Sequence, residues 1–133
     1  MTLQLEWANA IVLIVSDLAR SRDFYTTALG MEMAADTEHA AVFRTDSGML
    51  ILLSHTRADD LLGAENVDHE PATAARSYNV AEVENVDEAC EELRSRGVEF
   101  FREPANHPWG IRTAFFRDPD GHVWEISQDL PDE

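Results

Sequence analysis

Few side chains in this sequence are equipped for chemistry, and most of them lie in its second half. In RTAFFRDPDGHVWEIS (112–127), Arg112 and Glu125 fall on two apolar runs separated by a turn. A carboxylate there can take a proton or hold a cation, and a guanidinium can stabilise a developing oxyanion, so both are candidate catalytic residues. Tyr78 and Glu82 mark a third run, YNVAEV, and Trp109 sits in a tight HPWG motif. With Phe43 and Phe116 these residues suggest an aromatic, acidic ligand site. His39 is a candidate base or a solvated strand end, while His107 and His122 flank the motifs without metal-like partners.

The whole-chain balance narrows the function classes. The sequence has 26 acidic residues against 10 basic ones, every basic residue is arginine, and the net charge is −16. Such a field repels nucleic acid and anionic membranes. It favours a cationic ligand, or else reflects a salt-rich cell interior. The single cysteine, Cys90, excludes an intrachain disulfide and zinc-finger spacing. No apolar run approaches the length of a membrane span and no basic leader is present, so an intracellular, cytoplasmic protein is expected.

The elements that must position these residues come in two copies. IVLIV (11–15) reads as a strand, Asp17 as the N-cap of a helix over LARSRDFYTTAL, and Gly30 as its stop. YNVAEV (78–83) repeats the strand, Asn85 or Asp87 the cap, DEACEELRSR the helix and Gly97 the stop. Asp17 and Asn85 are 68 residues apart, and Gly30 and Gly97 are 67 apart. The hairpins HAAVFRTDSGMLILLS (39–54) and RTAFFRDPDGHVWEIS (112–127) align at an offset of 73. The predicted fold is therefore α+β: two tandem βαβββ modules forming a cup-shaped mixed sheet with helices outside. All of 1–133 is one domain, with module one at about 8–55, a connector at 56–77 holding one short helix, and module two at about 78–129.

Strand alternation assigns the faces. Ile11, Leu13 and Val15 are expected against the helix, leaving Ala10, Val12 and Ile14 on the open face with Tyr78, Val80 and Glu82. On the hairpins the open face is expected to carry His39, Ala41, Phe43, Leu50, Leu52 and Ser54. Their counterparts are Arg112, Ala114, Phe116, Val123, Glu125 and Ser127, with Arg112 neutralising Glu125 and Trp124 facing the core.

VSDLARSRDFYTTALGM, VENVDEACEELRSRGV and WGIRTAFFRDPDGHVWEI together resemble the vicinal oxygen chelate superfamily. That family includes glyoxalase I, bleomycin-resistance proteins, fosfomycin-resistance enzymes and extradiol dioxygenases. The resemblance covers all but the connector and implies a small-molecule ligand and a homodimer. It also implies four metal-holding positions, which fall at Ala10, Leu52, Tyr78 and Glu125, or at Asn9 if the first strand slips by one. Only Glu125 is a good ligand for a divalent ion. The expectation is thus a metal-independent protein, with no cofactor, that resembles bleomycin-resistance proteins and sequesters an aromatic or cationic ligand. Its binding residues would be Tyr78, Glu82, Phe43, Trp109, Arg112, Phe116 and Glu125. The alternative is a glyoxalase-like lyase or isomerase, or a dioxygenase-related enzyme, with a rebuilt site in which Glu125 is the base.

Overall fold

The computed structural model describes residues 10–131. Module one consists of β1 (Ala10–Val15), α1 (Leu18–Asp23), β2 (Met33–Asp36), β3 (Ala40–Thr45) and β4 (Gly48–Ser54). After α2 (His55–Leu62), module two repeats the series with β5 (Asn79–Glu82), α3 (Val86–Ser95), β6 (Phe100–His107), β7 (Ile111–Arg117) and β8 (Val123–Asp129). Each module is a four-stranded mixed sheet, ordered β1-β4-β3-β2 and β5-β8-β7-β6. The repeat expected from the sequence is present, as two separate sheets.

The caps lie where short polar residues can accept free helix N–H groups. Asp17 accepts from Arg20 at the start of α1, and Asn85, not Asp87, accepts from Glu88 at the start of α3. The first helix does not run on as α. Over Phe24–Ala28 it widens into a π turn, closed by the Leu29 N–H donating to the Phe24 carbonyl. Both aromatics of that turn reach the core, with the Phe24 and Tyr25 rings edge to face at 5.3 Å.

Strand pairing corrects the face assignment of the hairpins. β1 pairs with β4 so that Leu13 stands beside Leu52, and β3 pairs with β4 so that Leu52 stands beside Ala41 and Leu50 beside Phe43. Paired residues share a face, so Ala41, Phe43, Leu50 and Leu52 lie with Leu13 against the helix and are buried. In module two Phe116 pairs with Trp124 and Ala114 with Ile126, again in the core, whereas Glu125 pairs with Phe115 and Val80 on the open face. Alternation read from the sequence alone is one residue out of step in β3, β4 and β7, and a one-residue slip exchanges the two faces.

The hairpin offset is also not constant. Four residues separate the paired Arg44 and Met49, but five separate the paired Arg117 and Val123. The longer second turn moves β8 one residue further along, so Glu125 corresponds to Ile51 and not to Leu52.

That longer turn, Asp118–His122, ties the modules together. Asp118 accepts from the Tyr25 hydroxyl at 2.6 Å, and from the backbone N–H groups of Asp120 and His122 at 3.0 and 2.9 Å. Trp124 donates its indole N–H to the Tyr25 oxygen at 3.0 Å. Asp120 accepts from the Ser16 N–H and the Ser21 hydroxyl, and the His122 ring N–H donates to the Ile14 carbonyl. Around this network one core spans both modules, with the Tyr25 ring 6.0 Å from Phe43 and 6.1 Å from Trp124. The connector closes over the turn: the Ala72 N–H donates to the Asp120 carbonyl, and a Cβ at Gly121 would lie 2.1 Å from the Ala72 oxygen.

Two stability predictions follow from this tie. Tyr25→Phe removes one oxygen but leaves Trp124 and Asp118 each short of a buried partner, so urea denaturation should show a loss of about 1–3 kcal/mol. Gly110 and Gly121 both have positive φ, yet only Gly121 faces a backbone atom across the missing Cβ. Gly110→Ala should therefore cost about 1–2 kcal/mol from backbone strain alone. Gly121→Ala should lose about 1–3 kcal/mol beyond that, because the Ala72 backbone must move.

Candidate ligand-binding face

The two open faces differ in chemistry. In module one the face is Ala10, Val12 and Ile14 on β1, Met49, Ile51 and Leu53 on β4, and Ala40, Val42 and Arg44 on β3. It is apolar except for Arg44 at its edge. In module two the equivalent face carries Val80 and Glu82 on β5, Val123, Glu125 and Ser127 on β8, and Thr113, Phe115 and Arg117 on β7. Nearly all functional side chains on the open faces therefore come from the second sheet.

Glu125 lies at the centre of that face. It is only 8 % exposed, and its carboxylate has no hydrogen-bond or ion-pair partner among the described residues. Burial pushes its pKa above the ordinary 4.5, with the field of His107 pulling the other way. Beside it runs a row of aromatic rings. Tyr78, just ahead of β5, packs edge-on to Phe115 at 5.6 Å, and Phe115 lies 6.0 Å from Phe101 of β6. Tyr78 and Phe101 are exposed, at 53 % and 39 %.

On the other side of Glu125 the face is polar. Glu82 pairs with Ser127, and Ser127 with Thr113. The Thr113 hydroxyl shares a hydrogen bond of 2.8 Å with His107 Nε2, and the His107 ring stacks on Trp109 at 4.6 Å and 13°. Trp109 is 70 % exposed, in the turn between β6 and β7, and is held against His107 by that stack. The sequence left His107 without a role. The signal was its parity with Thr113 across a hairpin, visible only once the turn between them is known.

The face thus includes four of the residues expected from sequence, Tyr78, Glu82, Trp109 and Glu125, and excludes three. Phe43 and Phe116 are core residues at 0 % and 2 % exposure. Arg112 points to the helix side, where its guanidinium holds the Asp87 carboxylate through two 2.9 Å bonds and donates to Asn106 at 2.9 Å. It does not pair with Glu125, because Arg112 and Glu125 differ in parity across the β7–β8 pairing. The Asp87 carboxyl is held below its ordinary range by this contact. His39 likewise turns away, bonding Ser54, which caps α2.

The residues at the family's metal positions do not suit a divalent ion. Ala10 and Ile51, which replaces Leu52 once the register is known, offer no donor atom, and Tyr78 offers a phenol. No group of three or more His, Cys, Asp and Glu residues with metal-site geometry occurs among the described residues. Asn9, the alternative to Ala10, lies outside the described residues. No described helix is long and apolar enough to cross a membrane.

Comparison with known proteins agrees with this architecture. A glyoxalase/bleomycin resistance protein/dioxygenase from Nocardioides is 29% identical, with a TM-score of 0.84 over 99% of this chain and 89% of that one. A glyoxalase-related enzyme from Fulvimarina pelagi is 23% identical, with a TM-score of 0.80 over 94% and 89% of the two chains. A lactoylglutathione lyase from Agrobacterium tumefaciens is 18% identical, with a TM-score of 0.72 over 94% and 95%. The last two likenesses are of fold alone. No curated protein matches the sequence. The family model described as Glyoxalase/Bleomycin resistance protein/Dioxygenase superfamily matches residues 7–126, and with the paired βαβββ modules this makes the chain a member of that superfamily.

Proposed function

We propose that this protein binds a small aromatic cation on the open face of its second sheet, without a metal. The observation that carries this reading is Glu125, a largely buried side chain whose carboxylate oxygens still meet solvent and have no protein partner among the described residues, beside exposed aromatic rings. A carboxylate partly withdrawn from water and left unpaired is destabilised in its charged form, and a cationic ligand that donates hydrogen bonds to it offsets that cost. Tyr78 and Phe115 supply flat apolar surface and Trp109 a side wall, while Glu82 adds a second negative charge at the rim. The bleomycin-resistance side of the superfamily, where ligands are sequestered, suits a site with one good metal ligand.

The enzyme alternative asks more of the site. Glu125 as a base would need a donor beside it to stabilise the oxyanion; Arg112 is committed to Asp87 on the other face, and Arg117, on the same face, is turned away onto the Phe101 ring. We also expect a homodimer, since Val12, Tyr78 and Val80 are each about half exposed on the open faces. Light scattering should then return twice the 14.9 kDa chain mass.

Calorimetric titration with benzylamine or benzamidine should give 1:1 binding that Glu125→Gln weakens at least tenfold. Affinity should fall as pH drops through the raised Glu125 pKa, above 4.5, because the protonated carboxyl no longer attracts a cation. No binding of either cation at physiological salt, or binding indifferent to Glu125→Gln, refutes the proposal. A linked stability change is expected without ligand. A carboxyl whose pKa is raised by folding penalises the fold once it ionises. Glu125→Gln should therefore stabilise the free protein at neutral pH, and the gain should disappear as pH falls below 4.5. Urea melts at pH 7 and pH 4 measure the difference.

A further inference from the structure

Arg117 is on the same open face as Glu125, yet the two do not pair. It is paired across the strands with Val123, which makes Glu125 its diagonal neighbour on β8. In a chain with 26 acidic residues, Arg117 forms no ion pair and no hydrogen bond with any described residue. Its guanidinium instead lies over the Phe101 ring at 3.9 Å from the centroid, turned towards β6 and away from β8.

The face therefore holds two carboxylates without protein partners among the described residues, Glu125 at its centre and Glu82 at its rim, and one exposed guanidinium, Arg117, with Phe115 between Glu125 and Arg117 and Phe101 under the guanidinium. Diagonal neighbours on adjacent strands have Cβ atoms about 7–8 Å apart. With Arg117 leaning onto the next strand, its charge lies on the order of 10 Å from that of Glu125, since neighbouring strands are about 4.8 Å apart. A direct contact would need Arg117 to leave an aromatic surface on which a guanidinium is well placed. Separated opposite charges on either side of an aromatic ring are complementary to a molecule with the same three parts in the same order.

Resting on the reading of Glu125 as a cation site, we infer that the natural ligand is an aromatic ampholyte. Its cationic end meets Glu125, its ring lies along Phe115, and an anionic group such as a carboxylate meets Arg117 where it rests on Phe101. The anion needs no metal and no general acid, because a guanidinium presents a fork of N–H donors that matches two oxygens. Arg117 is then the residue that discriminates an ampholyte from a simple cation. It also allows an acidic protein to accept a ligand bearing a negative charge.

Three para-substituted or parent probes separate the possibilities: benzylamine, benzoate and 4-(aminomethyl)benzoate, each titrated calorimetrically into the full chain. The ampholyte should bind at least tenfold more tightly than benzylamine, and benzoate should bind more weakly than either. Arg117→Met keeps the apolar stem on Phe101 while removing the charge. It should abolish the preference for 4-(aminomethyl)benzoate and leave benzylamine affinity within twofold. Should benzylamine bind through Glu125 with no gain from the added carboxylate, the ampholyte inference fails and the cation site stands. A gain that survives Arg117→Met also overturns it, since the anion then meets some other group. Failure of all three probes to bind removes both readings.

Discussion

The hydrogen bond from Tyr25 to Asp118 joins a helix of the first module to a turn of the second, and the placement of everything else follows from it. A carboxylate buried between two sheets survives only if its lone pairs are used. Asp118 uses them in two directions, with one oxygen taking two N–H groups of its own turn and the other taking the Tyr25 hydroxyl. The turn is thereby shaped and docked by one side chain. Burial and the adjacent carboxylate hold the Tyr25 phenol far above its ordinary pKa, so it remains a donor across the whole working range. Burial likewise raises Asp118, against the pull of its three donors.

Of the three buried acids on this turn-and-strand unit, Asp118, Asp120 and Glu125, the first and last meet opposite fates. Asp118 is satisfied within the protein and is structural. Glu125, seven residues on, is largely buried as a side chain but has no such partners among the described residues, and its oxygens are left to solvent. The first arrangement stabilises a native state and the second costs stability, which natural proteins tolerate mainly where binding recovers the loss. The contrast comes from position in the sheet. Asp118 lies at a hairpin end, where backbone N–H groups are free. Glu125 lies mid-strand, where every neighbouring N–H is already used by the ladder.

The modules share a plan but not a role. One extra residue in the second turn gives room for the Asp118 network, and the same residue slides β8 so that Glu125 faces outward opposite Phe115. The first module, with the shorter turn, presents Ile51 at that place and an apolar face around it. Its contribution is the core: Tyr25, Phe43 and Leu52 are fully buried there. Duplication supplied two sheets, and the chemistry collected on one.

The sequence by itself determined the module plan. Caps, stops and strand periods recur at nearly equal spacing because each depends on local interactions among residues a few positions apart. It also determined that Trp124 is core, since Trp124 alternates with Glu125 along a single strand. Only the tertiary structure decided which residues share a face. Parity along one strand is local, but parity between strands depends on turn length and register, and the turns of the two hairpins differ by one residue. That difference moved Phe43, Phe116 and Arg112 off the open face and placed Arg117, Phe115 and Thr113 on it. The pairing across β6 and β7 brought His107 to the same face, a juxtaposition that no linear spacing expresses.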